Sequence, residues 1–299
     1  MGGVGLMRIL VLGASGLIGH KLLQRLGERF GDVVGVLHGS RDRFAHLPLF
    51  QGANIVENVR GEDWEQVCAM LDDQQPDVIL NCLGITKRRA EIDDPVLAIR
   101  VNALLPHLLA QWARENDARL IHFSTDCVFD GSKGDYTEDD PTTGQDAYGR
   151  TKALGEVRDG HNLTIRSSFI GRELAVHSEL LDWFLKQRGA ALRGFSRALY
   201  TGISTSEMAR IIGDVIEHHP DLAGLWQLSM AEPLDKYSLL CLFNEVFELG
   251  ATIEPDPSVE IKANLIGDPL RERIGYRLPE WREMIEGIAA ENDMYPVLS

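Results

Sequence analysis

An apolar pentapeptide, Arg8-Ile9-Leu10-Val11-Leu12, runs directly into Gly13-Ala14-Ser15-Gly16-Leu17-Ile18-Gly19, and a helical pattern follows over 17–26. Few folds accommodate that succession. A continuously apolar strand is one buried on both faces, as in a parallel sheet. Glycines at G-x-x-G-x-x-G spacing let the chain turn tightly and allow close backbone approach. The turn opens a helix, whose first N–H groups lack intrahelical partners and sit at the positive end of the helix dipole. The opening of the chain therefore describes a strand, a turn shaped to receive an anion, and a helix.

The pattern continues. Short apolar runs at 33–37, 54–57, 77–83, 119–124 and 163–166 read as strands, with helices at 63–71, at 95–116 (kinked near Pro106) and around Tyr148. Strand–helix alternation with unbroken apolar strands predicts an α/β fold, a Rossmann-type doubly wound parallel sheet over 7–166. From 167 to 299 the alternation loosens. Helices are expected at 180–187, 206–217 and 236–248, and an irregular stretch at 256–279, where Pro257, Gly267, Pro269 and Pro279 fall. This half reads as a smaller, mainly substrate-binding C-terminal lobe, with some segments returning to the first domain. Residues 1–6 are flexible in composition, with Met7 the effective start.

Composition removes several alternatives. Among 299 residues, 44% are hydrophobic, ample for a large core, and the net charge is −15. That charge argues against nucleic acid or an anionic membrane surface, and it requires any anionic ligand to find a locally positive pocket. Cys68, Cys82, Cys127 and Cys241 show no metal spacing and no disulfide framework. They read as free thiols in a reducing compartment. With no apolar run of transmembrane length and no signal-peptide pattern, a cytoplasmic location is expected.

The chemistry-bearing residues collect where parallel sheets bind ligands, at the carboxyl ends of the strands. Gly13, Ser15, Gly16, Leu17, Ile18 and Gly19 form a cradle for the pyrophosphate of a dinucleotide. After the second strand an acidic residue would select NAD. Here the chain reads His38-Gly39-Ser40-Arg41-Asp42-Arg43, so Ser40 and Arg41, aided by Arg43, can hold a 2′-phosphate, and NADP(H) is expected over NAD(H). Asn58 and Val59 fall where an adenine would lie, and Cys82, Leu83 and Gly84 end the fourth strand on the same edge. Thr125 follows the fifth strand and offers a hydroxyl. Tyr148 and Lys152, four apart, share one helix face. An ammonium beside a phenol lowers the phenol's pKa from about 10 toward neutrality, so Tyr148 can exchange a proton with a carbon-bound oxygen.

The ordered motifs GASGLIG, NCLG, STDCVFDG and YGRTK resemble the extended short-chain dehydrogenase/reductase superfamily. Within it, STDCVFDG followed by Tyr136-Thr137-Glu138 and YGRTKALGE is most similar to the dTDP-4-dehydrorhamnose reductase family. The likeness runs from Arg8 to about Arg166. It implies a triad of Thr125, Tyr148 as general acid and Lys152 holding the ribose, with Gly13, Gly16 and Gly19 on the pyrophosphate. It also implies NADPH-dependent reduction of the 4-keto group of a nucleotide-linked 4-keto-6-deoxyhexose, within deoxysugar and cell-surface polysaccharide synthesis. A nucleotide sugar is the expected partner, and the chain is a monomer or a homodimer. Some members bind magnesium at a dimer contact, but no carboxylate cluster here carries that over.

The resemblance leaves rival readings open. Related 4,6-dehydratases place Glu after the Asp of this motif; here Cys127 follows Asp126, which argues against dehydration. UDP-galactose-type epimerases keep NAD through an acidic residue that Ser40 and Arg41 replace. In enzymes resembling GDP-fucose synthase, a Cys near this position and a downstream His epimerise C3 and C5, which makes Cys127 and His177 candidates beside a plain packing role for each. Asp126, Tyr200, Trp183, Arg271 and Arg273 are further substrate candidates, and Asn102 is a candidate for shaping the active-site backbone. A non-catalytic NADP-binding subunit, like the regulatory partner of methionine adenosyltransferase, is the alternative from another class.

Overall fold

The computed structural model describes residues 7–295 and 298. The start at 1–6, expected to be flexible, lies outside them. The first half of the chain runs β1 (Arg8–Leu12), α1 (Gly19–Arg29), β2 (Asp32–Val36), α2 (Pro48–Gly52), β3 (Asn54–Val56), α3 (Trp64–Gln74), β4 (Val78–Asn81), α4 (Pro95–Ala98), α5 (Leu105–Glu115), β5 (Arg119–Thr125), α6 (Ala147–Leu154) and β6 (Leu163–Ser167). The second half runs β7 (Phe169–Ile170), α7 (Leu180–Leu185), β8 (Ala191–Tyr200), β9 (Ile203–Ser204), α8 (Thr205–His218), β10 (Gly224–Gln227), β11 (Leu234–Asp235), α9 (Lys236–Val246), β12 (Thr252–Lys262), α10 (Asp268–Ile274) and α11 (Trp281–Ala290).

The chain groups into two compact units. One holds the chain through Ser124, with Asp146–Ile165 and Ala209–Leu225; the other holds Thr125–Gln145, Arg166–Met208 and the chain from Trp226 onward. The main sheet has the order β10-β6-β5-β4-β1-β2-β3, and β3, β2, β1, β4 and β5 pair in parallel. This is the Rossmann-type sheet the alternation predicts. Chain order reverses between β1 and β4, the place where such sheets open a crevice at their carboxyl edge.

The reason for the apolar strands is visible in the packing. Leu10, Leu12, Val34, Val36, Ile79 and Leu120 form one buried cluster with Val67 and Leu71 of α3 and Leu105, Leu109 and Trp112 of α5. Asp63 caps α3 by accepting from Gln66 N, as its position before the helix implies. Trp112 donates Nε1–H to Asp72 at 2.8 Å, so its one polar atom is satisfied within an otherwise apolar contact.

The long helix expected at 95–116 is not a simple kinked helix. Between α4 and α5 the chain forms a π-helical stretch, Ile99–Leu104. Pro106 has no N–H, so it cannot bond the carbonyl four residues back, that of Asn102. Gly155, just past α6, packs against that carbonyl, and a Cβ there would overlap it. The irregularity thus has a local cause in Pro106 and a tertiary partner in Gly155. Pro95–Glu115 also has the length and composition to cross a membrane, which corrects the reading that no run is long enough. Its apolar window is 56% buried within the protein, as for a core helix.

The second unit corrects the expectation of an irregular 256–279. β12 passes straight through Pro255 and Pro257 and pairs in parallel with β8, with a register shift between Asp256 and Glu260. It is an edge strand, in the order β11-β8-β12, where a missing N–H costs no ladder bond. α10 then starts with Pro269 in its first turn and ends at Gly275 in the left-handed region. Pro257, Gly267 and Pro269 are thus edge-strand and helix-start residues, while Pro279 keeps the irregular character expected of it, between α10 and α11. The segment after β5 joins this unit. Phe129 and Tyr136 stack with ring centres 3.9 Å apart, and Tyr136 N donates to Asn264 O at 3.0 Å. All four cysteines are free and partly buried.

If Gly155 exists to admit the Asn102 carbonyl, Gly155→Ala should destabilise the fold by roughly 1–3 kcal/mol, as overpacking does. Urea unfolding measures this; an unchanged midpoint would contradict the packing argument.

Candidate active site

The glycine turn is held on its scaffold by backbone. Gly13 N and Ala14 N both donate to Val36 O, at 3.1 and 3.0 Å, and Gly16 N closes the turn on Gly13 O at 2.9 Å. Gly13 has φ +75, and a Cβ on it would press the Cys82 carbonyl carbon and oxygen at 3.3 Å. A Cβ on Gly19 would overlap the Gly13 carbonyl, so the glycines let the turn close tightly on itself and on the end of β4. The turn leads into α1 with no side-chain cap; His20, Lys21 and Leu22 bond the carbonyls of Gly16 and Ile18, so the donors that can face an anion are those just ahead of them, around Leu17, Ile18 and Gly19. Val59 N bonds Leu37 O at 3.0 Å, and Asn58 has φ +61, which brings the chain after β3 beside the end of β2.

Ser40 and Arg41 are not simply a free anion grip. Glu57, one residue beyond β3, accepts from the Arg41 backbone N–H and from Ser40 Oγ at 3.3 Å, and its other oxygen lies 3.5 Å from Arg41 Nε. The bond from Arg41 N–H contributes most to holding the Glu57 carboxyl below the usual range. Reading the loop after β2 alone missed this carboxylate. The available signal was an acidic residue ending the neighbouring strand.

At the end of β4, Asn81, Cys82, Leu83 and Gly84 line the carboxyl edge. Burial pushes the Cys82 thiol up, so it is held as a neutral thiol. Beyond it, Asn102 of the π stretch takes the next residue by both backbone groups. Ile85 N donates to its Oδ1 at 2.8 Å, and its Nδ2 donates to Ile85 O at 3.0 Å and to Thr151 Oγ1 at 3.1 Å. Asn102 thus ties the loop after β4 to α6.

α6 carries Tyr148 and Lys152. Asp146 caps it through Gly149 N at 2.7 Å. Tyr148 is half-buried and Lys152 is 3% exposed. Lys152 Nζ donates to Phe123 O at 2.7 Å and lies 3.2 Å from His122 Nε2. Burial lowers the Lys152 pKa to about 8, against the opposing pull of Glu156 and Cys82. Burial also pushes His122 well below the ordinary imidazole range, with Lys152 acting in the same direction. His122 was missed by sequence reasoning, although a lone polar residue in the apolar run of β5 was a visible signal.

In the second unit, Thr125 ends β5, accepts from Cys127 N at 3.1 Å and donates to Asp126 Oδ1 at 3.1 Å. Burial first, then Asp126, Glu179 and Cys127, raise the Tyr200 pKa well above the ordinary phenol, while a hydrogen bond with Ser168 acts the other way. Asp126 and Cys127 thus lie within electrostatic range of Tyr200. His177 and Arg271 are engaged elsewhere. His177 Nδ1 bonds Asp182 at 2.7 Å, the carboxylate that also pairs with buried Arg172. Arg271 pairs with Asp268 and donates to Ser229 O. Trp183 is 38% exposed beside Phe184.

A dinucleotide cradle at the β1–α1 turn, with Tyr and a buried Lys one turn apart on α6, defines a member of the extended short-chain dehydrogenase/reductase class. Residues 7–169 match the family described as RmlD substrate binding domain, and the chain belongs to that family. It is 36% identical over 169 residues to a probable low-salt glycan biosynthesis reductase, Agl14, of Haloferax volcanii, covering 55% of this chain and 54% of the relative. The chain thus spans about half the length of the first curated relatives it matches. It is 26% identical to methionine adenosyltransferase 2 subunit beta of Xenopus tropicalis, over 93% of this chain and 89% of that one. Its fold superposes on a dTDP-4-dehydrorhamnose reductase of Bacillus anthracis in complex with NADP (TM-score 0.78, 18% identity, 96% and 100% of the two chains). It also superposes on the Bordetella bronchiseptica enzyme WbmG in complex with NAD (TM-score 0.79, 19% identity, 99% and 97% coverage).

The folded Lys152 pKa lies below its unfolded value, so the buried ammonium costs stability below about pH 8, and the cost fades as pH rises toward the unfolded value of 10.5. Lys152→Met should therefore stabilise the protein at pH 7 by roughly 1–3 kcal/mol, allowing for the lost bond to Phe123. The gain should shrink as pH approaches 10.5. Denaturant unfolding at both pH values checks it, and an equal effect at both would contradict the burial cost.

Proposed function

We propose that this chain is an oxidoreductase that reduces the 4-keto group of a nucleotide-linked 4-keto-6-deoxyhexose with NADPH, in the reducing compartment that its free thiols suit. The observation that carries the reading is Lys152, a buried amine one helical turn from Tyr148, on the same unit as the tightly closed glycine turn. A binding module has no need of a desolvated lysine; a proton-transfer site does.

Gly13 to Gly19 and the loop after β4 would hold the dinucleotide, which supplies the hydride when bound. Tyr148 then gives its proton to the oxygen that gains negative charge at the reduced carbon. Lys152, as the ammonium, stabilises the resulting phenolate and is anchored for that task by the Phe123 carbonyl. The family resemblance assigns Thr125 a hydroxyl contact with the substrate. Asp126, Cys127 and Tyr200 would form part of the sugar pocket, since they share one unit and lie within electrostatic range of Tyr200. Asn102 keeps the loop after β4 in place.

The preference for NADPH rests on Arg41, and Glu57 works against it by occupying Arg41 and Ser40. A 2′-phosphate must take over the arginine from this carboxylate. Arg41→Ala should weaken NADPH by about tenfold or more, the worth of a charge-assisted hydrogen bond, and NADH far less. Glu57→Gln should strengthen NADPH relative to NADH. Fluorescence titration of both cofactors decides this, and equal changes for the two would refute the assignment.

The second reading, a regulatory subunit without turnover, is favoured by the near full-length similarity to methionine adenosyltransferase 2 subunit beta. NADPH oxidation with a panel of dTDP-, GDP- and UDP-4-keto-6-deoxyhexoses separates the two. Turnover is expected, with Tyr148→Phe retaining NADPH binding and losing it by at least 100-fold, the scale of general acid catalysis at about 10²–10⁴. No oxidation of NADPH with any sugar would support the regulatory reading.

A further inference from the structure

Glu156 is a carboxylate that water hardly reaches, with its side chain 1% exposed. A carboxylate so placed needs donors and a counter-charge. Ser124 Oγ donates to its Oε1 at 2.8 Å, and Arg158, itself half in solvent, pairs with its Oε2 at 3.1 Å. Ser124 directly follows Phe123, whose carbonyl holds Lys152 Nζ at 2.7 Å. Adjacent residues of a chain lie about 3.8 Å apart, so these two anchors put the lysine nitrogen and the carboxylate within roughly 10 Å of each other. The other groups facing Lys152 bring no negative charge. His122 on β5 is held as a neutral imidazole by burial and by Lys152 itself. Burial keeps the Cys82 thiol, at the end of β4, from ionising. Tyr148, one turn back on α6, is the proton donor of the proposed step.

We propose that Glu156 is a positioning residue for the reaction: it is the counter-charge that keeps buried Lys152 an ammonium, so that the phenolate left on Tyr148 has a cation beside it. Burial alone can take a lysine down to about 5–6. Burial does lower Lys152, but only to about 8, and Glu156 is the first of the groups that pull the other way. At neutral pH that separates a mostly charged lysine from a mostly neutral one. The chain thus delivers proton donor, cation and anion at steps of four residues, Tyr148, Lys152 and Glu156. Gly155 lets the segment that carries Glu156 close against the Asn102 carbonyl. The link to turnover rests on the proposed reductase reading; the charge pairing does not.

Glu156→Gln keeps the shape and the acceptor that faces Ser124 while removing the charge. Nuclear magnetic resonance of protein labelled at the lysine ε-carbons follows each amine without cofactor or sugar, and the Lys152 signal is the one lost in Lys152→Met. The parent is expected to titrate at about 8. Glu156→Gln should lower this by about one pH unit or more, the worth of a unit charge at such a distance inside a protein. Because turnover needs the ammonium, the alkaline limb of NADPH oxidation should move down in pH by the same amount. A Lys152 titration unchanged in Glu156→Gln would overturn the proposal and leave Glu156 as a structural tie between α6 and β5. Should Glu156→Gln not fold, the parent decides: titration at about 8 upholds the pairing, and an amine already neutral at pH 7 overturns it. A lowered titration in Glu156→Gln, with no NADPH oxidation by the parent on any sugar, would uphold the pairing and count against the reductase reading alone.

Discussion

The site depends on the hydrogen bond from Lys152 Nζ to the carbonyl of Phe123. It joins α6 to β5 through a charged group with almost no access to water. A buried ammonium without such an acceptor would be driven to lose its proton or to leave the interior. The bond lets burial lower the lysine's proton affinity without expelling it. Tyr148, one turn away on the same helix, takes its position from the same docking. Strand β5 in turn is held in place by its apolar partners, Leu120 among them, so the chemistry rests on the packing of the sheet.

A second constraint reaches the site through backbone alone. Pro106 leaves the Asn102 carbonyl without its helical partner, the helix relaxes into a π stretch, and Gly155 lets the end of α6 approach that carbonyl. The same stretch turns the Asn102 side chain onto Ile85 and Thr151. Irregular helix turns of this kind often accompany functional sites. Here the reason is concrete: one residue positions both the loop after β4 and the helix that carries Tyr148 and Lys152.

Much of this was legible in the chain. The run RILVL and the glycine turn imply a buried strand, a cradle and a helix, because apolar continuity and glycine spacing are local properties. The i, i+4 relation of Tyr148 and Lys152 is likewise local. The edge strand β12 was not legible, because Pro255 and Pro257 argue against a strand until its place at the sheet edge is known. Glu57 and His122 were missed for a related reason. Each matters through a partner more than ten residues away, Arg41 in one case and Lys152 in the other.

The sequence by itself determined the parallel sheet, the anion-receiving turn, the Tyr–Lys helix and the family they define, because each follows from short-range periodicity, glycine geometry or motif order. The tertiary structure alone decided how those residues are charged and engaged. It set Lys152 at a lowered pKa on the Phe123 carbonyl, placed Asn81 beside His122, turned Glu57 onto Arg41, brought Asp126 and Cys127 within electrostatic range of Tyr200, and tied His177 to Asp182. Protonation and pairing depend on burial and on neighbours brought in from distant parts of the chain, and a linear pattern does not carry either.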